Sequence, residues 1–116
     1  MGHGTHVAGI IAAVNNNGEG ISSIAGGSGN GDGVRIMSVQ IFQENTGVAN
    51  ERIAAGIEYA ADMGAAILQC SWGQPVMWIS DGGYEANAGS IYITAIKYFV
   101  ECSDNRSEEH TSELQS

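Results

Sequence analysis

The chain has 116 residues, which is enough for one small domain. Its formal net charge of -9 argues against nucleic acid or an anionic membrane surface as the main partner. No apolar stretch reaches the length of a transmembrane helix. Cys70 and Cys102 do not define the redox compartment, and we expect free thiols, with Cys70 buried in an apolar run.

The first predicted element is a helix over residues 6–14. Its apolar residues recur at helical spacing, at Val7, Ile10, Ile11 and Val14. The rest of the segment carries no charge, so we expect a helix buried on all sides in a larger core. Residues 15–18, Asn-Asn-Asn-Gly, favour a turn and are predicted to end the helix. The glycine-rich segment 18–33 is predicted to be a flexible surface turn, because phosphate-binding loops follow a strand and this one precedes one.

A strand, a helix and a second strand are predicted next, over residues 34–42, 51–63 and 65–71. Asn50 is the predicted helix cap, and Gly64 suits the helix end. The apolar face of this helix consists of Ile53, Ile57, Ala60 and Ala61. This order implies two parallel strands joined by a right-handed crossover. With a further helix over 84–101, the pattern is α/β with an incomplete sheet.

The last eleven residues, RSEEHTSELQS over 106–116, differ from everything before them. They have no apolar periodicity and resemble the in-frame translation of a common sequencing-library adapter. We therefore expect 106–116 to be an artefactual, non-native tail and leave it out of the functional interpretation.

The segment HGTHVAGIIAAVNNN, over residues 3–17, carries the chemistry. His3 and His6 could bind zinc or have a structural role, but helical zinc pairs in hydrolases are usually four residues apart with a glutamate between them. Over all fifteen residues the segment resembles the catalytic-histidine motif of subtilisin-like serine peptidases, the subtilases. Residues 33–42 and 51–73 are similar to the strand, helix and strand that follow in that family. The combination of ILQCSWG at 67–73 with AIKYFVE at 95–101 most resembles Bacteroidetes-type members.

The resemblance implies a doubly wound parallel α/β sheet, of which residues 1–105 form part. It also implies that His3 is the base of a Ser-His-Asp triad. Ser71, Trp72 and Gly73 match the segment that binds peptide substrate as an added strand. Trp72 replaces the commoner leucine, and its alternative role is core packing.

Calcium is the one metal that the resemblance suggests, as a structural ion and not as part of the chemistry. Many subtilases bind calcium through the loop after the histidine helix, and Asn16 lies at that place. Amide and carbonyl oxygens suit calcium. The alternative is that Asn15, Asn16 and Asn17 form an ordinary turn.

The family's other catalytic motifs do not occur within these 116 residues. They are the aspartate in Asp-Thr/Ser-Gly, the oxyanion asparagine in Ala-Gly-Asn and the serine in Gly-Thr-Ser-x-Ala. We expect residues 1–105 to be an internal part of a larger catalytic domain, inactive and loosely folded alone. A cooperative thermal transition of residues 1–105 would contradict the last point.

The sequence therefore predicts a fragment of a serine endopeptidase that acts on peptides or proteins outside the cell or at the cell envelope. Its oligomeric state stays open. The alternative is a non-catalytic, subtilase-like module that binds peptides or partner proteins, and the flanking sequence of the gene would discriminate between the two.

Overall fold

The computed structural model describes the backbone of residues 2–42, 49–72 and 91–115, and their side chains except at 92 and 107–115. These residues contain three helices, α1 (His3–Ala12), α2 (Asn50–Asp62) and α3 (Ile91–Gln115). The chain divides into two units, Met1–Ser38 and Val39–Ser116. No helix among the described residues is both long and apolar enough to span a bilayer.

Helix α1 begins and ends earlier than the predicted 6–14. It starts at His3 after Gly2, whose φ of 114° is left-handed. It ends before Ala13, which leaves the helical conformation and accepts a hydrogen bond from the Ser23 hydroxyl at 2.7 Å. No residue of α1 is buried in this chain and Ile10 is 44% exposed, so the burial of the helix in a larger core stays a prediction. In the described part of its unit, the loop after α1 contacts the helix through its backbone. The N–H groups of Ile24 and Ala25 donate to the carbonyls of Ile10 and Ile11.

Helix α2 confirms its prediction to within one residue at each end. All four residues of the predicted apolar face are buried, together with Ala54. The cap position is wrong, since Ala49 holds it and Asn50 is already helical. Ala49 has extended backbone and makes no side-chain capping bond. Gly64 adopts a φ of 82°, which confirms it as the helix stop.

The second unit is built around the contact between α2 and α3. Ala95 and Phe99 of α3 are buried with the α2 residues in one apolar cluster. The half-buried residues at its edge are Ile41, Ala65, Leu68, Trp72 and Cys102. A Cβ at Gly56 would lie 2.8 Å from Ile41 Cγ2, so glycine permits the chain before α2 to approach the helix.

Helix α3 extends beyond the predicted end at residue 101, while the predicted start at residues 84–90 lies outside the described residues. It continues through the segment that we expected to be artefactual. Arg106 donates from Nη1 to the Ala61 carbonyl and from Nη2 to the Ala65 carbonyl, both at 3.0 Å. The Ala61 carbonyl lies in the last turn of α2 and also accepts the Gly64 N–H at 3.0 Å, while Ala65 lies just beyond the helix. The non-native origin of 106–116 stays a prediction.

The sheet expected from residues 34–42 and 65–71 is not confirmed. Neither segment forms a strand, and helices are the regular elements among the described residues. A strand exists only when a neighbour completes its ladder of hydrogen bonds, and the two segments do not pair with each other here. Ile67, which the prediction places inside a buried strand, is 82% exposed.

Both cysteines are free thiols, as predicted. The predicted burial of Cys70 is wrong, because this residue is exposed, whereas Cys102 is half-buried beside the core. Cys70 lies in the segment that lacks a strand partner, which explains its exposure. Partial desolvation nevertheless raises the pKa of the Cys70 thiol.

We predict that Ile57→Ala destabilises the second unit by about 2–5 kcal/mol, because it removes a buried side chain from the middle of the α2–α3 contact. Urea unfolding followed by far-ultraviolet circular dichroism measures the change. Ile67→Ala is the matched control, and its exposed side chain predicts an effect within about 0.5 kcal/mol. Equal effects of the two substitutions would contradict the observed core.

The second prediction concerns pH. The Tyr98 hydroxyl donates to Asp62 Oδ1 at 2.6 Å, joining α3 to the end of α2. This bond, followed by the one with Cys102, raises the pKa of Tyr98. Because the neutral phenol is favoured by folding, its stabilisation is complete below the ordinary tyrosine pKa of about 10 and is lost as pH rises through the raised pKa.

We therefore expect helix content to fall in the strongly alkaline range, and Tyr98→Phe to abolish that part of the pH dependence. Circular dichroism against pH measures it. Tyr59→Phe is the control, because Tyr59 is an exposed tyrosine of α2. An unchanged alkaline profile in Tyr98→Phe would refute the assignment.

Candidate functional site

His3 is the first residue of α1 and is exposed. The Gly2 carbonyl accepts the His6 N–H at 2.9 Å, so the first helical turn closes within the motif. The left-handed φ of Gly2 suits glycine, because a Cβ disfavours that conformation. His3 therefore lies at the N-terminal end of the helix, and its catalytic role stays a prediction.

The loop after α1 is organised by the side chain of Asn15. Its Oδ1 accepts bonds from the Ser23 N–H at 2.7 Å and the Ser22 hydroxyl at 3.0 Å. Its Nδ2 donates to the carbonyls of Gly27 at 3.0 Å and Ser23 at 3.3 Å. One amide thus connects both sides of the glycine-rich segment to the residues that follow α1.

A close approach at Gly26 and a hydrogen bond to Asp32 complete this loop. Gly26 is buried, and a Cβ there would collide with the Ala13 carbonyl oxygen and the Ser23 hydroxyl. Asp32 Oδ1 accepts the Ser28 N–H at 2.7 Å. That backbone bond, with a further one from the Ser28 hydroxyl, lowers the pKa of Asp32. The segment lies mostly at the surface, as predicted, and hydrogen bonds fix its path.

The three asparagines give a limited fit to calcium. Asn15 Oδ1 already accepts two hydrogen bonds, and Asn17 Oδ1 accepts the Glu19 N–H at 3.1 Å. Asn16, with a left-handed φ of 61°, uses Nδ2 to donate to the Ser28 carbonyl at 3.4 Å. Calcium takes about six to eight oxygen ligands. Two of the three amide oxygens are already in use, so the loop as described does not form a calcium cage.

The predicted substrate segment follows α2. Ser71 is half-buried, and its Oγ accepts a hydrogen bond from Gln69 Nε2 at 2.8 Å. Trp72 is half-buried against the α2–α3 core, which agrees with the packing alternative. Gly73 lies outside the described residues. His3 belongs to the first unit and Ser71 and Trp72 to the second.

Sequence reasoning missed the role of Asn15 and considered it only within a run of three turn residues. The available signal was an asparagine directly after an apolar helix, followed by paired serines. No group of three or more histidine, cysteine, aspartate or glutamate side chains that could hold a metal occurs in the described ranges 2–42, 49–72 and 91–106.

Comparison with known proteins defines the class. The subtilase family model matches residues 1–112. Thermitase of Thermoactinomyces vulgaris is 36% identical over 100 residues, which cover 81% of this chain and 33% of thermitase. Fervidolysin of Fervidobacterium pennivorans is 34% identical over 118 aligned positions, covering 93% of this chain and 15% of that protein.

The cell wall-associated protease of Bacillus subtilis strain 168 is 40% identical over 73 residues, which cover 63% of this chain and 8% of that protein. No solved structure matches this chain significantly. The chain belongs to the subtilase family. It spans about a third or less of the length of these curated relatives. The family implies an α/β fold, although the described residues contain no strand.

We predict that Gly26→Ala destabilises the loop by about 1–3 kcal/mol, because the added methyl group has no room beside Ala13 and Ser23. Amide hydrogen exchange at Ser23, whose N–H donates to Asn15, measures the loss of protection. Gly9→Ala is the control in the same unit. A Cβ at Gly9 meets nothing within 4 Å, so Ala there should stabilise α1 by about 0.5–1 kcal/mol. Unchanged exchange in Gly26→Ala would count against the close approach.

Proposed function

We propose that the whole protein is a serine endopeptidase and that this chain supplies the histidine of its Ser-His-Asp triad. The observation that carries the proposal is the HGTHVAG motif, with His3 exposed at the first position of α1. Membership of the subtilase family and similarity to relatives named as proteases support it.

In this proposal His3 acts as general base and then as general acid. The neutral imidazole takes the proton of the serine hydroxyl as the oxygen attacks the peptide carbonyl. The resulting imidazolium gives the proton to the leaving amine, and a water molecule then repeats the cycle to release the acyl group. The exposed position of His3 leaves its imidazole accessible to a serine from another part of the protein.

Substrate binding is assigned to Ser71, Trp72 and Gly73. An extended backbone can bind any peptide through main-chain hydrogen bonds, while adjacent side chains select the residues accepted. Trp72 already packs on the core with part of its ring, so its remaining exposed part is what a substrate side chain would meet. A large aromatic ring at this place favours a small or flat substrate residue beside it.

Three further points belong to the proposal. The chemistry needs no cofactor, and the calcium role of Asn16 stays a prediction from which we derive no step. The 116 residues alone should be inactive, because the motifs for the aspartate, the serine and the oxyanion asparagine do not occur in them. The whole protein acts outside the cell or at the cell envelope, in line with the relative named as a cell wall-associated protease.

The test is activity of the protein encoded by the full gene. We expect it to hydrolyse a casein or peptide substrate, and His3→Ala to lower kcat by about 10⁴-fold or more, because triad members act as a unit. His6→Ala is the matched control from the same helix and should retain the triad chemistry. A full gene without the aspartate or serine motif, or a His3→Ala variant with unchanged kcat, would instead favour the peptide-binding module.

A further inference from the structure

We infer that Asn17 is a site of spontaneous backbone modification, at which the asparagine cyclises and deamidates. The chain contains two Asn-Gly pairs, Asn17-Gly18 and Asn30-Gly31, and both lie exposed in the same loop. In such a pair the following backbone nitrogen can attack the side-chain amide, because glycine has no Cβ to obstruct the approach. The structure distinguishes the two pairs by the hydrogen bond that each amide makes.

The Asn17 amide oxygen already has a hydrogen-bond donor. Its Oδ1 accepts the Glu19 N–H at 3.1 Å. When the Gly18 nitrogen attacks Cγ, negative charge develops on Oδ1, and a donor already placed at that oxygen stabilises it, as in an oxyanion hole. Gly18 is exposed with a φ of 73°, and apart from its chain neighbours nothing lies within 4 Å of where its Cβ would be.

The Asn30 amide is held differently. Its Nδ2 donates to the Ser28 hydroxyl at 3.0 Å. This hydrogen bond involves the amide nitrogen, so it does not stabilise negative charge on Asn30 Oδ1. It also holds the amide nitrogen, which must leave as ammonia. Gly31 otherwise matches Gly18, because its φ is 76° and its surroundings are equally open. Asn30 is therefore a built-in control in the same molecule.

The reaction balances with water as the only co-reactant. The Gly18 nitrogen bonds to Asn17 Cγ to form a cyclic tetrahedral intermediate, and the bond from Cγ to the amide nitrogen then breaks. That nitrogen leaves as ammonia with the proton from the Gly18 nitrogen, and a succinimide ring remains. Water then opens the ring at either carbonyl and yields aspartate or isoaspartate. Each product adds one negative charge two residues after Asn15, whose amide organises the loop, and isoaspartate also adds a carbon to the main chain there.

The test uses the full chain, incubated in mildly alkaline buffer made with heavy-oxygen water and analysed by peptide mapping with mass spectrometry. We expect label to enter at Asn17 roughly threefold to tenfold faster than at Asn30, the range that one exposed hydrogen bond to a developing charge provides. Equal rates, or faster labelling at Asn30, would overturn the inference.

Substitutions at Glu19 test the cause. Glu19→Pro removes the N–H and should bring the rate at Asn17 down to that at Asn30, whereas Glu19→Ala keeps the N–H and should leave the rate unchanged. Gly18→Ala should slow Asn17 alone and Gly31→Ala should slow Asn30 alone, with similar backbone strain in the two variants. A Glu19→Pro chain that still labels faster at Asn17 would refute the role of the Glu19 donor.

Discussion

The second unit depends on the packing of α2 against α3. The apolar stripe of α2 places Ile53 and Ile57 against Ala95 and Phe99, and no polar or charged residue is buried in the described part of the chain. Small residues at Ala60 and Ala61 let the helices approach at the C-terminal end of α2. The Tyr98–Asp62 bond and the Arg106 bonds require that α3 lies close to the C-terminal end of α2. Both polar contacts therefore follow from the apolar one.

The first unit is held in a different way. Its helix buries no residue, so the order of the loop comes from hydrogen bonds centred on Asn15 and from the close approach that Gly26 permits. Polar bonds of this kind each contribute only modest net stability in water. Apolar residues of this unit remain exposed, and Ile24 is 87% exposed.

The sequence predicted the features that depend on local pattern. Helix α2, its buried face and its stop at Gly64 follow from helical spacing and from the need for a left-handed residue. The histidine motif indicated the family. Local pattern could not decide the strands, because residues 34–42 and 65–71 become strands only when neighbouring strands supply their hydrogen bonds. The predicted burial of Cys70 failed for the same reason, because its segment has no strand partner.

The two hydrogen bonds that Arg106 donates to the Ala61 and Ala65 carbonyls bear on whether a well-formed contact identifies a native residue. The acceptors at Ala61 and Ala65 are main-chain carbonyls, so they are present whatever side chains evolution has chosen. An arginine that arrives in the right register by accident can therefore bind as well as an inherited one. A well-satisfied contact is evidence of chemical compatibility, and it carries no record of ancestry.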